Sequence, residues 1–277
     1  VPTPPVALTI AGTDSAGGAG VHADLRTFAA FGVHGATAVA AVTAQSTARI
    51  DAVHLLPTDV VVAQIDSVVA DLDVRATKTG FLGSVEVVEA VARIAADGRL
   101  RNVVVDPVLV RSDGEPLFPH EVTAAYLERL LPRATVITPN RLEAGLLTGR
   151  ALETVADMAE AAHELSSLGP ALVVVKGGDA ADEGDESIDV VVAADGSETR
   201  LRMPRVDTAN DHGTGCSFAS ASAACLALGH DAADAVRTAK RFVHDALVGS
   251  VDWRLGAGHG PIDQLGFARR GTSTVHR

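Results

Sequence analysis

Short uninterrupted apolar runs recur along this chain, and an amphipathic stretch separates most of them from the next. Val6–Ile10, Ala36–Val42, Val103–Val105, Thr135–Ile137 and Ala171–Val175 are built largely from Val, Ile and Ala. Strands that are apolar without alternation belong to a parallel sheet covered on both faces. The stretches Val21–Phe31, Val60–Val69, Val85–Ala96, Glu121–Leu130 and Val155–Leu168 carry helical periodicity. This alternation predicts a three-layer α/β fold, a mostly parallel central sheet with helices on both faces. The pattern breaks at Ser187–Val192 and Thr199–Met203, which flank Asp195-Gly196 and predict a small antiparallel hairpin at a sheet edge. Two Ala-rich helices follow, Cys216–Leu228 and Asp231–Val248. The acidic stretch Ala180–Glu186 reads as a solvated loop. No internal repeat or domain boundary is visible, so residues 6–266 are expected to form a single domain, with tails at 1–5 and 267–277.

Composition narrows the function classes. Hydrophobic residues make up 47% of the 277 positions and charged residues 21%, so the chain can build a sizeable core. Aromatics are only 3%, which leaves that core to aliphatic side chains. A net charge of -12 without a basic patch argues against a sequence-independent nucleic-acid binder. The two cysteines, Cys216 and Cys225, lie in one apolar helical stretch and fit reduced thiols of a cytoplasmic protein. No apolar run has the length of a membrane span, and the N-terminal residues lack the pattern of a signal peptide. The ten histidines show no ligand spacing for zinc.

Five segments carry chemistry, and each has a plain structural reading beside the functional one. Ala11–Gly20 holds four glycines, Gly12, Gly17, Gly18 and Gly20, between a strand and a helix. It is either a turn or the place where a ligand approaches the backbone, as ligands do at the carboxyl ends of strands in open α/β sheets. It is not the dinucleotide fingerprint. Asn210–Cys216 precedes an Ala-rich helix. Gly213, Thr214 and Gly215 would present free N–H groups and a positive dipole end to a phosphate or oxyanion. Cys216 falls in the first turn, where a thiol pKa is expected to drop; the alternative is a capped helix with a small buried thiol. Asn140 and Glu143 stand three apart at a helix start, as in a capping box, yet with Asp106 they also suit a hydrated Mg²⁺. Lys176 ends a strand before Gly177-Gly178, as a surface lysine or an anion ligand. Gln45 could read an amino-pyrimidine edge, since its amide donates and accepts side by side. Phe81 could stack on a flat ring, and Asp24 lies on the first helix; both also suit ordinary core or loop roles.

Together these segments resemble the hydroxymethylpyrimidine/phosphomethylpyrimidine kinase family of thiamine biosynthesis, within the ribokinase-like fold. The resemblance runs from about Leu8 to Gly260. It rests on AGTDSAGGAGVHADL from Ala11, VTAQST from Val42, KTGFL from Lys78, DPV from Asp106, TPNRLEA from Thr138, VKGG from Val175 and NDHGTGC from Asn210. Most ribokinase-like enzymes carry Asp where this chain has Cys216. The pyrimidine kinases and a nearby pyridoxal kinase subgroup carry Cys.

The resemblance implies a transfer of the ATP γ-phosphoryl group to 4-amino-5-hydroxymethyl-2-methylpyrimidine and to its monophosphate, with Mg²⁺ and a homodimeric assembly. It implies Cys216 as base, and Gly213, Thr214 and Gly215 as anion hole. Gly12, Asp24, Gln45 and Phe81 would hold the pyrimidine. Asp106, Asn140, Lys176 and Lys240 would lie at the nucleotide, and Glu143 at the metal. The other readings of the same motifs are a pyridoxine/pyridoxal kinase and a non-catalytic pyrimidine-binding regulator. The chain departs from the family at Asp211, where Thr is usual, and at Arg111-Ser112-Asp113-Gly114, where a flap segment usually reads Ala-Lys-Ser-Gly. An acid beside the anion hole is expected to repel an incoming phosphate.

Overall fold

The computed structural model describes residues 2–111, 114–178 and 184–270. Its centre is a nine-stranded sheet in the order β3-β2-β1-β4-β5-β6-β7-β8-β9. The strands are β1 (Val6–Gly12), β2 (His34–Gln45), β3 (Ile50–Leu55), β4 (Val74–Thr79), β5 (Val103–Val105), β6 (Val136–Ile137), β7 (Leu172–Lys176), β8 (Glu186–Ala193) and β9 (Glu198–Pro204). From β2 to β7 all neighbours pair in parallel, while β3, β8 and β9 join antiparallel. The expected edge hairpin is β8–β9, closed by Gly196 at φ 81°.

Successive residues of a strand point to opposite faces, and here both faces are covered by helices. On one face Leu8, Ile10, Val103, Val105, Val173 and Val175 pack against α2 (Thr58–Asp71), α3 (Val85–Ala96), α4 (His120–Ala125), α5 (Arg141–Thr148) and α6 (Val155–Ser166). On the other, Ala7, Val104, Val136 and Val174 meet α1 (Gly20–Ala30), α7 (Thr214–Ala227) and α8 (Ala232–Ser250). α7 is buried nearly all round, wedged between the sheet, α1 and α8. Its run of Ala and Ser is what allows so close an approach. A short α9 (Phe267–Arg270) starts where a tail was expected, with Asp263 accepting from the Phe267 and Ala268 N–H groups.

The structure adds two strands to the sequence reading. β4, VRATKT, is buried at five of its six residues but includes a lysine and two threonines, so it lacks an apolar signature. β3 is exposed along its whole length and pairs with the far half of β2, Ala41–Gln45, at the edge of the sheet. The expected helix Glu121–Leu130 is α4 followed by a π-helical turn over Tyr126–Leu130. Most of the acidic loop, Asp179, the flap residues Ser112 and Asp113, and the end of the C-terminal segment lie outside the described residues.

Candidate active site

The carboxyl ends of β1, β2, β4, β5 and β7 and the N-terminus of α7 bring the singled-out segments to one side of the sheet. The two glycine segments interlock. Gly213 caps α7 at φ 88°, and a Cβ there would lie 2.0 Å from the Gly18 carbonyl oxygen. A Cβ on Gly20, at φ 57°, would lie 2.3 Å from the Gly12 oxygen. Both positions therefore require glycine, for conformation and for space. The turn is also organised by Asp14, whose buried carboxylate accepts from the N–H groups of Ala16, Gly18 and Ala19 at 2.8–2.9 Å. The end of β2 is stitched onto it: Thr43 bonds Thr13, and the Gln45 N–H donates to Ser15 Oγ at 2.7 Å.

Two of the expected ring-binding residues, Gly12 and Phe81, lie against each other. A Cβ on Gly12 would stand 3.3 Å from the Phe81 ring, so this glycine lets the backbone lie directly against that ring. Phe81 is partly exposed and packs on Phe118 at a centroid distance of 5.1 Å. Gln45 is partly exposed at the end of β2.

Asp24, expected to hold the pyrimidine, instead points into the core. It is fully buried between β1, β4 and α7, and its oxygens are taken by Thr9 at 2.6 Å, Lys78 at 2.9 Å and Ser220 at 2.6 Å. The sequence reading gave Lys78 no role, yet it is completely buried. Burial alone would favour the neutral amine, but the Asp24 carboxylate overrides it and holds Lys78 charged.

At the carboxyl end of β7, the Lys176 Nζ donates to Asp106 Oδ1 at 2.9 Å, an oxygen that also accepts from the Thr138 hydroxyl at 3.3 Å. Burial disfavours the charged lysine, but Asp106 and Glu143 outweigh this and raise its pKa. A Cβ on Gly215 would be 3.1 Å from Lys176 Nζ and 3.9 Å from Asp106 Oδ2. The second glycine of the α7 turn thus lets the helix N-terminus sit directly beside this ion pair. The backbone N–H groups of Gly215 and Cys216 have no backbone partner among the described residues, as is usual in the first turn of a helix. Asn140 and Glu143 form a complete capping box at the start of α5, which is the plain structural reading of that motif. Burial, with Asp106 adding to it and Lys176 opposing, pushes Glu143 up to about 8. The Lys240 ammonium is 2.9 Å from both Asp189 and Ser187, and Asp189 also accepts from the Gly177 N–H.

Cys216 lies in the first turn of α7, partly exposed, and both cysteines are free thiols. The expected drop in its pKa is corrected. Burial pushes the thiol up to about 11; Lys78 and the Gly20 N–H pull it down, and the carboxylates of Asp24 and Asp106 push it further up. The Asp211 carboxylate is exposed to solvent, where His259 Nδ1 meets it at 2.8 Å. Asp211→Thr is therefore expected to change kcat/KM for a phosphorylated and an unphosphorylated substrate alike and by little, within about 1 kcal/mol as for other exposed pairs. A selective gain on the phosphorylated substrate would place the carboxylate in the anion path after all.

The phosphomethylpyrimidine kinase family model matches residues 14–263. The chain is 47% identical over 264 residues to the thiamine biosynthetic bifunctional enzyme of Arabidopsis thaliana, covering 94% of this chain but 50% of that longer protein. It is 43% identical over 263 residues to the hydroxymethylpyrimidine/phosphomethylpyrimidine kinase of Rhizobium meliloti, covering 93% of this chain and 96% of the other. Among solved structures, the pyridoxal kinase of Staphylococcus aureus in complex with ADP superposes with a TM-score of 0.88 at 35% identity, covering 97% and 96% of the two chains. The sheet order, the paired glycine turns and the Cys-bearing helix start thus sit in a ribokinase-like kinase, and the match to the family model across nearly the whole chain makes this protein a member of the phosphomethylpyrimidine kinase family.

Proposed function

We propose that the protein phosphorylates the alcohol of 4-amino-5-hydroxymethyl-2-methylpyrimidine with ATP, and then the resulting monophosphate, in the formation of thiamine diphosphate. The observation that carries this reading is the meeting of the two glycine turns, Gly18 against Gly213, with the Lys176–Asp106 pair beside the start of α7. They would join two half-sites, a ring side of Gly12, Phe81 and Gln45 and a phosphate side at the helix N-terminus that bears the Cys216 thiol. Such transfers need positioning and charge stabilisation more than covalent chemistry. Phe81 and Gln45 would fix the ring. Gly213, Thr214 and Gly215, with Lys176, would stabilise charge on the transferring group. Cys216 would take the proton of the attacking hydroxyl. Asn140 would order the phosphate side of the nucleotide next to Lys176, with which it forms a backbone bridge. The ADP complex of the solved pyridoxal kinase supports ATP as the phosphoryl donor.

A divalent cation fits the same place. Asp106 Oδ2 makes no hydrogen bond among the described residues and faces the N-terminus of α7. A carboxylate oxygen left open beside a phosphate site suits Mg²⁺, which keeps most of its waters and takes one or two carboxylates. Asp106 would hold that ion, with Glu143 behind it; Mg²⁺ would neutralise phosphate charge. We also place the protein in the cytoplasm, as a homodimer. Among the described residues no helix is long and apolar enough to cross a membrane.

A coupled ATP assay with the pyrimidine alcohol, its monophosphate and pyridoxal tests the reading. The expected order of kcat/KM has the two pyrimidines above pyridoxal. The second reading, a pyridoxal kinase, is favoured by the close superposition on the S. aureus enzyme and would be adopted if pyridoxal were the faster substrate. No turnover of any of them would point to a non-catalytic binder. Gln45→Ala is expected to raise KM for the pyrimidine about 5- to 150-fold, equivalent to a bidentate contact of about 1–3 kcal/mol, and to leave KM for ATP nearly unchanged. A rise confined to ATP would move the ring site elsewhere.

A further inference from the structure

His212 precedes the anion-hole turn, and no role has been given to it above. The residue is fixed at three points, one on its backbone and two on its ring. The backbone N–H donates to the Gly260 oxygen at 3.0 Å. The ring lies over Gly18, where a Cβ would come within 2.4 Å of Cδ2. Nε2 lies 2.9 Å from Asp14 Oδ2. The same Nε2 is 3.4 Å from the amide nitrogen of Gln45. No other polar contact of that amide is present among the described residues, although the Gln45 backbone is pinned by Ser15.

The protonation pattern follows from the donors around Asp14. A carboxylate that already accepts three backbone N–H groups offers only acceptor sites to the imidazole. The proton between the two groups therefore sits on His212 Nε2. A ring nitrogen committed in this way has no lone pair for the Gln45 amide. It buttresses the amide by contact without capturing its N–H bonds, which stay available to a ligand.

We infer that His212, held by Asp14, is a positioning residue that sets the amide of Gln45 for reading the donor–acceptor edge of an amino-pyrimidine ring. This rests on the proposed function, since it concerns how that substrate is chosen. It also couples the two half-sites, because His212 is next to Gly213 while Asp14 and Gln45 belong to the ring side.

The test is a double-mutant cycle on KM of the pyrimidine alcohol with wild type, His212→Phe, Gln45→Ala and the double variant. His212→Phe keeps a flat ring over Gly18 but loses the bond to Asp14 that holds the ring in register with the Gln45 amide. Alone it is expected to raise KM for the pyrimidine about 10-fold, with a change in KM for ATP of less than about twofold. In the Gln45→Ala background it should add nothing, because the group it positions is gone. His212→Gln, which returns an N–H near the Nε2 position, should recover most of the loss. Additive penalties, or parallel rises in both KM values, would overturn the proposal and leave His212 a structural tie between loops. Should His212→Phe not fold, the cycle with His212→Asn, too short to reach Gln45, reads the same coupling. Wild type that neither binds nor phosphorylates the pyrimidine would overturn the functional reading itself, and this inference with it; active wild type with an additive cycle overturns the inference alone.

Discussion

Cys216→Ala is expected to lower kcat for phosphoryl transfer about 10²- to 10⁴-fold, the usual loss when a general base is removed. Binding of the pyrimidine, read by calorimetry, should survive, because the ring-side residues Gly12, Gln45 and Phe81 are untouched. The thiol at about 11 makes the prediction sharper. With burial raising the thiol, the wild-type rate is expected to climb with pH through the neutral and mildly alkaline range. Cys216→Asp should restore part of the activity and move the rise to lower pH, since a carboxyl ionises well below a thiol in comparable surroundings. Near-normal turnover in the alanine variant, with the wild-type pH profile retained, would remove Cys216 from the mechanism.

The second large effect is on stability. Lys78→Met would leave the Asp24 carboxylate fully buried without its counter-ion, which typically costs about 3–5 kcal/mol. That is a large share of the roughly 5–15 kcal/mol by which a folded protein is stable. Urea unfolding should show it as a lower midpoint with little change in slope. Asp24→Asn combined with Lys78→Met removes both charges and should recover most of the loss, since an uncompensated charge is the source of the penalty. If Lys78→Met unfolds at the wild-type midpoint, the buried pair contributes nothing, and the interior must admit water to Asp24.

Much of this arrangement is legible in the residues alone, and the exceptions have physical causes. The parallel strands announce themselves because burial on both faces forces apolar side chains at every position. β4 does not, because its buried lysine makes an interior strand look polar. β3 does not, because an edge strand with both faces exposed has no core pattern to obey. The glycines of the two turns are legible as positions that admit no side chain, since a Cβ at Gly20 or Gly213 would run into a backbone carbonyl oxygen. Asp24 shows the opposite case. A helical carboxylate near a glycine turn points either into the cleft or into the core, and only the distant Lys78 decides which. The thiol is similar: its place at a helix start is readable, but the burial and the two carboxylates that raise its pKa come from three separate elements.

The interlock of Gly18 with Gly213 also bears on how such a protein can change over time. The two residues are far apart in the chain, yet the carbonyl of one occupies the space that a side chain on the other would need. For heredity they are two loci, while for chemistry they are a single component. Recombination with a crossover anywhere between them would pair a ring-side turn from one parent with a phosphate-side turn from another. Such offspring function only where both parents kept the same backbone contour at the junction. Substrate range can therefore drift through the walls of the cleft, at positions such as Phe81, far more freely than through the seam that joins its two halves.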